Sequence, residues 1–185
     1  MRWGGDVSEP ELEPIPSLTG QLLIATPLLG DPNFLRTVVL LVDHDDHGAI
    51  GVVLNRPSEI PVVDEVPRLA LSVTEPARVF EGGPVQDEVT MALSAARGDG
   101  LCSWAVVDQD DPPDLPEPVR IFRGYSGWGP GQLEGEIREG AWWTARPRPT
   151  DLFTATPALL WSTVLRREGP PMSYAATWLA DPRFN

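Results

Sequence analysis

"FLRTVVLLVDHDDHGAIGVVLNRP", residues 34–57, decides the fold of this chain. Its two halves are rich in β-branched residues and almost continuously apolar, which is typical of strands buried on both faces. Between them, residues 43–48 read DHDDHG, a short polar segment that ends in glycine. The stretch therefore predicts a β-hairpin with a polar turn, placed inside a sheet.

Further strands and helices follow on both sides of this hairpin. Glycine, proline and acidic segments separate the apolar runs, and the expected strands cover residues 20–29, 77–83, 88–93, 102–107, 119–122 and 141–146. Apolar residues at helical spacing predict helices over 132–139 and 156–169, and a short, proline-limited one within 59–71. Residues 123–131, RGYSGWGPG, are predicted to form a glycine-rich loop.

The length and composition indicate one globular domain. The chain has 185 residues, of which 42% are hydrophobic, enough to bury a core. Residues 1–16 are acidic and rich in proline and glycine, so we expect a flexible tail followed by a single domain over 17–185. The start has no apolar leader and no apolar run is long enough to span a bilayer. We therefore expect a cytoplasmic protein without a membrane partner.

The net charge and the residue composition of the chain argue against several classes of function. The net charge is −13 and the pI about 4.4, which disfavours nucleic acid as a direct partner. All 14 Lys+Arg residues are arginine, so Schiff-base chemistry on lysine and a phosphate-binding Walker lysine are excluded. Cys102 is the only cysteine, which excludes an internal disulfide and a multi-cysteine zinc site.

The sequence HDDH at residues 44–47 offers two imidazoles and two carboxylates in a row. Such groups can bind Zn²⁺ or Fe²⁺, which would allow a metal-dependent hydrolase that uses His44 and nearby carboxylates. Consecutive side chains of a tight turn diverge, however, and the chain has no other histidine. We expect no metal and no cofactor here, and a solvated turn in which Asp45 and Asp46 accept hydrogen bonds from the backbone.

Two other segments could carry a site. Residues 123–137 place glycines before a helix, as a phosphate-binding loop does, but lysine is absent and Trp128 stands where a nucleophile elbow needs glycine. Packing of Tyr125 and Trp128 on the core is the alternative. Asn55 and Arg56 lie at the end of a buried strand, where Arg56 could hold an anion or pair with an acidic neighbour.

Three blocks of the sequence resemble the YqgE/AlgH family. They are residues 22–57, which include the hairpin, then EGGPV at 81–85, and finally GYSGWGPGQLEGEI at 124–137 followed by AWW at 141–143. The resemblance implies an α+β fold, with a bifurcated, partly barrel-like mixed β-sheet surrounded by helices in a single domain. It brings no agreed catalytic residue. One branch of the family is named for a regulatory effect on alginate biosynthesis genes.

We therefore interpret the chain as a binding or regulatory module without an established catalytic activity. The partner would be an unknown protein or small molecule, with no direct nucleic acid and no membrane. Two alternatives remain open. One is the metal-dependent hydrolase using His44, and the other is a transcriptional regulator that acts directly or indirectly.

The most specific expectation concerns a shared ligand groove. Polar and glycine-rich segments follow the ends of apolar strands, where loops can converge on a ligand. The hypothesis is one groove lined by Arg36, His44, Asn55, Arg56, Trp128 and Glu134. The competing view is that these side chains only hold the loops together, with an arginine and Glu134 forming a partly buried ion pair.

We predict that the protein does not bind DNA tightly. A chain of charge −13 must overcome long-range repulsion before it makes any contact with phosphates. Fluorescence anisotropy at physiological salt should give a dissociation constant no better than about 10⁻⁴–10⁻⁶ M for promoter or random duplexes. A nanomolar, sequence-dependent complex would contradict this prediction.

Overall fold

The computed structural model of the protein describes residues 16–94 and 103–177. The predicted tail over 1–16 lies outside these residues, apart from Pro16. The strands are β1 (Leu22–Ala25), β2 (Val38–Asp45), β3 (Gly48–Val53), β4 (Pro57–Pro61), β5 (Arg78–Glu81), β6 (Val85–Ser94), β7 (Ser103–Val106), β8 (Val119–Trp128) and β9 (Trp142–Ala145).

The predicted hairpin is confirmed as the antiparallel pair β2 and β3. Its turn is tight, because Asp45 pairs with Gly48 and leaves only Asp46 and His47 between the strands. The Asp45 carboxylate accepts a hydrogen bond from the backbone N–H of His47 at 2.7 Å. Residues 38–41 of β2 are fully buried, as their apolar sequence predicts.

The sheet divides at β8. The order of strands is β4-β5-β8-β3-β2-β1-β9, with β6 and β7 as a side branch from β8. β5 pairs in parallel with residues 122–123 of β8, whereas β3 pairs with residues 126–128 in the antiparallel sense. The expected α+β fold with a bifurcated mixed sheet is confirmed, and the strands over residues 16–94 and 103–177 do not close into a barrel.

Close backbone contacts hold the dividing point together. The Gly82 N–H donates to the Arg123 carbonyl at 2.8 Å, and the Gly82 carbonyl accepts from the Val53 N–H at 2.9 Å. A Cβ atom on Gly82 would lie 2.2 Å from the Gly124 carbonyl oxygen, and one on Gly83 would lie 2.3 Å from the Tyr125 backbone. We call Gly82, Gly83 and Gly124 the glycine crossing, since side chains there would force β5, β3 and β8 apart.

Helices cover both faces of the sheet. On one face, α4 (Leu160–Glu168) and α5 (Met172–Ala175) pack on side chains such as Ile24 and Leu40. On the other, α2 (Gln132–Arg138) packs through Leu133 on Leu23 and Leu41. We call these the α4 face and the α2 face, and they alternate along β1 and β2 as strand geometry requires.

Two shorter helices lie at the margins of the fold. α1 (Val62–Glu65) follows β4, and α3 (Pro149–Leu152) follows β9. Val62 contributes to a third apolar cluster, together with Val79 and Ile121. No helix within the described residues has the length and apolar character needed to cross a membrane.

One local prediction was wrong. Residues 123–128 are strand, not loop, because β8 continues to Trp128. The glycines there permit neighbouring backbones to approach. The short, proline-limited helix predicted within 59–71 is α1, since β4 extends to Pro61 and a 3₁₀ turn occupies Pro67–Leu69. Proline at 61 and 67 confines the helical part between them.

Arg120 connects the sheet to two surface loops from within the core. Its side chain is 2% exposed and its guanidinium lies 4.3 Å from the centre of the Phe80 ring. One terminal nitrogen donates to the Thr74 hydroxyl and to the carbonyls of Glu75 and Thr154. Burial lowers the pKa of Arg120 to about 10, so it stays charged at neutral pH.

We predict that Gly82→Ala destabilises the fold although alanine is small. The added Cβ would lie 2.2 Å from the Gly124 carbonyl oxygen, so two backbones must separate. Overpacking of this kind costs about 1–3 kcal/mol. The free energy of unfolding, measured in urea, should fall by about that amount.

Gly135→Ala is the matched control. Gly135 lies in α2, and a Cβ there has no atom within 4 Å. Alanine in a helix is favoured over glycine by about 0.5–1 kcal/mol, so this variant should be as stable as the parent or more so. Equal stability of the two variants would contradict the role given to the glycine crossing.

Candidate functional site

His44 lies near the end of β2 and is 5% exposed. Its Nδ1 accepts a hydrogen bond from the Leu18 backbone N–H at 2.8 Å. Because Nδ1 accepts, the ring proton is assigned to Nε2, which lies 3.0 Å from the Glu134 carboxylate and donates to it. Both ring nitrogens are therefore engaged within the protein, and His44 joins the hairpin to α2 and to residues before β1.

Glu134 is held in its ionised form. Burial opposes ionisation of the carboxyl, but a hydrogen bond from its own backbone N–H, the interaction with His44 and the charge of Arg138 outweigh it. Together they hold the pKa of Glu134 below the ordinary glutamate value. The pair His44–Glu134 is thus a partly buried polar link between β2 and α2.

Of the other residues of the HDDH sequence, Asp45 and Asp46 line a small cavity together with His44, whereas His47 lines a different one. The His47 side chain is 93% exposed and lies 3.3 Å from the Asp45 carboxylate. The His47 backbone N–H is the main cause that lowers the pKa of Asp45. Within residues 16–94 and 103–177, no group of three or more His, Cys, Asp and Glu side chains could hold a metal ion.

Trp128 packs in an aromatic cluster on the α2 face. Its ring centre lies 6.2 Å from that of Phe34 and 6.0 Å from that of Trp142. The indole N–H groups of Trp128 and Trp142 both donate to Glu136 Oε2, at 2.9 and 2.7 Å. Gln132 donates to the other oxygen of Glu136 at 2.9 Å. This arrangement satisfies the buried indoles and fixes α2 on the sheet.

Asn55 and Arg36 fix the loop before β2. The Asn55 side chain accepts from the Val38 N–H at 2.9 Å and donates to the Arg36 carbonyl at 2.9 Å. Arg36 has a left-handed backbone, with φ of 56°. Its guanidinium lies 4.4 Å from the centre of the Trp161 ring, on the α4 face, whereas Trp128 lies on the α2 face.

A cleft of about 360 Å³ opens beside the dividing point of the sheet. We call it the fork cleft, and it is lined by Asn33, Val53, Arg56, Ser58, Ile60, Val79, Glu81, Gly83, Pro84, Asp87 and Arg123. Its volume lies in the range of small-molecule sites. Arg56 is positioned there by hydrogen bonds from Nη2 to the carbonyls of Pro32 and Leu35, at 3.2 and 3.4 Å.

The fork cleft combines charges of both signs. Arg123 contributes a second guanidinium, whose Nη2 lies 3.3 Å from the Glu65 carboxylate. Glu81 and Asp87 are exposed at the cleft. Asp87 comes from an irregular part of β6, where the pairing with β8 jumps from Val85–Tyr125 to Thr90–Arg123. Such bulges redirect side chains, and they are frequent beside functional sites.

The structure divides the six residues predicted to share a groove. Arg56 lines the fork cleft, Trp128 lines a second cavity beside the hairpin, and His44 and Glu134 line a third with Ser17. Asn55 and Arg36 support the loop before β2. A binding role for each of the six stays a prediction, and their observed contacts are mostly those that hold loops and α2 in place.

Three charged residues of the fork cleft were not predicted from the sequence. Arg123 belonged to a segment interpreted as loop, Glu81 is the first residue of the EGGPV block, and Asp87 follows that block by two residues. Neither acidic residue has a pattern of its own. The sequence feature that could have indicated these residues is the glycine pair at 82–83. Glycines that cannot carry a Cβ mark a close backbone approach, which brings the residues beside them to one place.

Comparison with known proteins agrees with this α+β fold and places the chain in a family. The model of the AlgH-like family (DUF179) matches residues 22–173. A UPF0301 protein of Streptomyces coelicolor is 43% identical over 187 residues, covering 92% of this chain and 97% of the relative. A UPF0301 protein of Thermobifida fusca is 42% identical over 190 residues, covering 91% and 96%. The chain belongs to the AlgH-like family, as the sequence resemblance predicts.

Two solved structures share the fold. The crystal structure of a Corynebacterium diphtheriae protein matches with a TM-score of 0.76 and 28% identity, covering 89% of this chain and 94% of that one. The solution structure of the AlgH protein from Pseudomonas aeruginosa matches with a TM-score of 0.66 and 30% identity, covering 93% and 97%. The names of these relatives state no reaction, and the hydrolase and DNA-reading alternatives find no support in them.

We predict that Trp128→Ala costs about 3–5 kcal/mol of stability, the usual range for a buried large aromatic residue. Trp128 is 6% exposed, and its loss also removes a donor to Glu136. Trp104→Ala is the control, since Trp104 in β7 is 43% exposed and should cost far less. Urea denaturation gives both values, and a small loss for Trp128→Ala would favour a ligand-binding role instead.

The lowered pKa of Glu134 predicts a pH-dependent contribution to stability. A carboxyl whose pKa is lower in the folded state stabilises the protein above its unfolded pKa of about 4.3, and this contribution disappears as the pH falls through the folded value. The stability difference between the parent and Glu134→Gln should therefore be present at neutral pH and shrink below about pH 4.

Glu139→Gln is the matched control for this pH series, since Glu139 is exposed at the end of the same helix. Thermal melts between acidic and neutral pH should show no comparable trend for it. A stability difference for Glu134→Gln that stays constant across the series would contradict the link to His44.

Proposed function

We propose that the protein is a non-catalytic binding module that holds a small molecule with an anionic group in the fork cleft. The observation that carries this proposal is Arg56, whose guanidinium lines the cleft and is fixed by two backbone carbonyls. Arginine is suited to carboxylate and phosphate recognition, because its planar donors match two oxygens at once. A second arginine, Arg123, lines the same cleft.

A regulatory role follows from the position of the fork cleft. Its lining residues come from the loop before β2, from β3 and the segment after it, from β4, β5 and β6, and from β8. A ligand that contacts these segments together would stabilise one arrangement of the two branches of the sheet. Binding of this kind shifts populations without any chemical step. The functional consequence would be a change in contact with a partner protein.

Catalysis is not part of the proposal. The hydrolase alternative needs His44 as a metal ligand or base, and both nitrogens of His44 are engaged by Leu18 and Glu134. The cytoplasm is the compartment we propose. A single cysteine in 185 residues suits a fold that does not depend on disulfides.

The experiment that tests the proposal is retention of small molecules from a bacterial metabolite extract. The protein is equilibrated with the extract and washed, and the retained compounds are released and identified by mass spectrometry. We expect the parent protein to retain a compound with a carboxylate or phosphate group, and Arg56→Ala to lose it.

Arg138→Ala is the control variant, because Arg138 is exposed on α2 and does not line the fork cleft. It should retain the same compound as the parent. Identical retention by the parent and Arg56→Ala, or no retained compound at all, would contradict the proposal. Thermal melts of all variants would show whether each is folded, and loss of Arg56 is expected to leave the fold intact.

A further inference from the structure

The fork cleft carries two positive and two negative side chains, in a chain whose net charge is −13. Arg56 and Arg123 supply the positive charges, and Glu81 and Asp87 the negative ones. A cleft for a simple anion would gain from arginines alone, since carboxylates at the same site repel the ligand. Positive and negative side chains together in one small cleft indicate a ligand that carries both a negative and a positive group.

The two arginines differ in how their charges are compensated. Arg123 forms an ion pair with Glu65, which also accepts from the Thr90 hydroxyl. Arg56 donates to backbone carbonyls, and within the described part of the chain no carboxylate forms an ion pair with it. Arg56 is therefore the guanidinium whose charge a ligand carboxylate would balance.

The acidic side of the cleft is also uncompensated. Among residues 16–94 and 103–177, neither Glu81 nor Asp87 forms an ion pair. Asp87 lies close to the glycine crossing, since a Cβ on Gly124 would lie 3.3 Å from the Asp87 Cα. Glu81 is held at the end of β5, opposite Arg123 of β8. An ammonium group would satisfy either carboxylate.

The rest of the lining suits a compact ligand with an apolar part. Val53, Ile60, Val79 and Pro84 contribute apolar surface to the cleft. A volume of about 360 Å³ is at the small end of ligand sites. A nucleotide would bring several negative charges against Glu81 and Asp87, which the cleft does not compensate.

We propose that the ligand is a small zwitterion of the α-amino acid type. Its carboxylate binds Arg56, its ammonium group lies toward Glu81 and Asp87, and its side chain contacts the apolar wall. This inference rests on the proposed function of the fork cleft and specifies the chemistry of its ligand.

The test uses isothermal titration of the full-length protein with the standard amino acids, followed by analogues of the best binder that lack one charge. For L-leucine the analogues are 4-methylpentanoate, without the ammonium group, and 3-methylbutylamine, without the carboxylate. We expect at least one amino acid to bind, and each analogue to bind at least about tenfold more weakly, equivalent to 1.4 kcal/mol. Arg56→Ala should abolish binding of the amino acid.

The decisive variant is Glu81→Gln combined with Asp87→Asn. Removing both negative charges should weaken binding of the amino acid and strengthen binding of its carboxylate analogue, so the two effects have opposite signs. Glu88→Gln is the control, because Glu88 is exposed next to Asp87 and does not line the cleft.

The outcomes separate this inference from the proposed function. If the carboxylate analogue binds as tightly as the amino acid and its binding depends on Arg56, the zwitterion inference is overturned. The fork cleft would then be a site for an anion. An amino acid that binds equally well to the double variant would also overturn the inference. Failure of all standard amino acids to bind at millimolar concentration would overturn it too, while an anionic metabolite retained through Arg56 would still support the proposed function.

Discussion

The fold depends on a contact between backbones at the glycine crossing. Gly82 lies between Arg123 of β8 and Val53 of β3, with a hydrogen bond to each at 2.8 and 2.9 Å. That position has no room for a side chain, since a Cβ would lie 2.2 Å from the Gly124 carbonyl. The contact lets one strand, β8, serve two branches of the sheet. The fork cleft lies where the two branches separate, and its charged lining comes from residues adjacent to the glycine crossing.

The polar networks outside the cleft serve the architecture. Glu136 receives the indole N–H groups of Trp128 and Trp142, and His44 donates to Glu134. Both glutamates belong to α2, so one helix is attached to the sheet by two sets of charge-assisted hydrogen bonds, which are stronger than neutral ones. Satisfied polar groups of this kind specify how elements pack. The fork cleft differs, because Arg56, Glu81 and Asp87 line it without an ion pair among the described residues.

The sequence predicted those parts of the fold that depend on local patterns. The hairpin of β2 and β3 follows from two apolar runs around a polar turn, and α2 and α4 follow from helical spacing and the glycines beyond them. It predicted only the first part of β8, over 119–122, and not its continuation to Trp128, because Gly124 and Gly127 resemble loop residues until a neighbouring backbone is seen. Nor did it predict the fork cleft, since Arg123 and Asp87 meet only through the irregular pairing of β6 with β8. Such convergence depends on long-range contacts, which residue spacing does not encode.

The central claim is that ligand binding occurs at the fork and that the α2 face is structural. The most direct measurement is an amide NMR titration of the protein with its best-binding amino acid. The account predicts shifts concentrated at Val53, Gly82, Gly83 and Arg123, with little change at His44 and Trp128. Shifts concentrated around His44 and Trp128, with the fork unaffected, would contradict it.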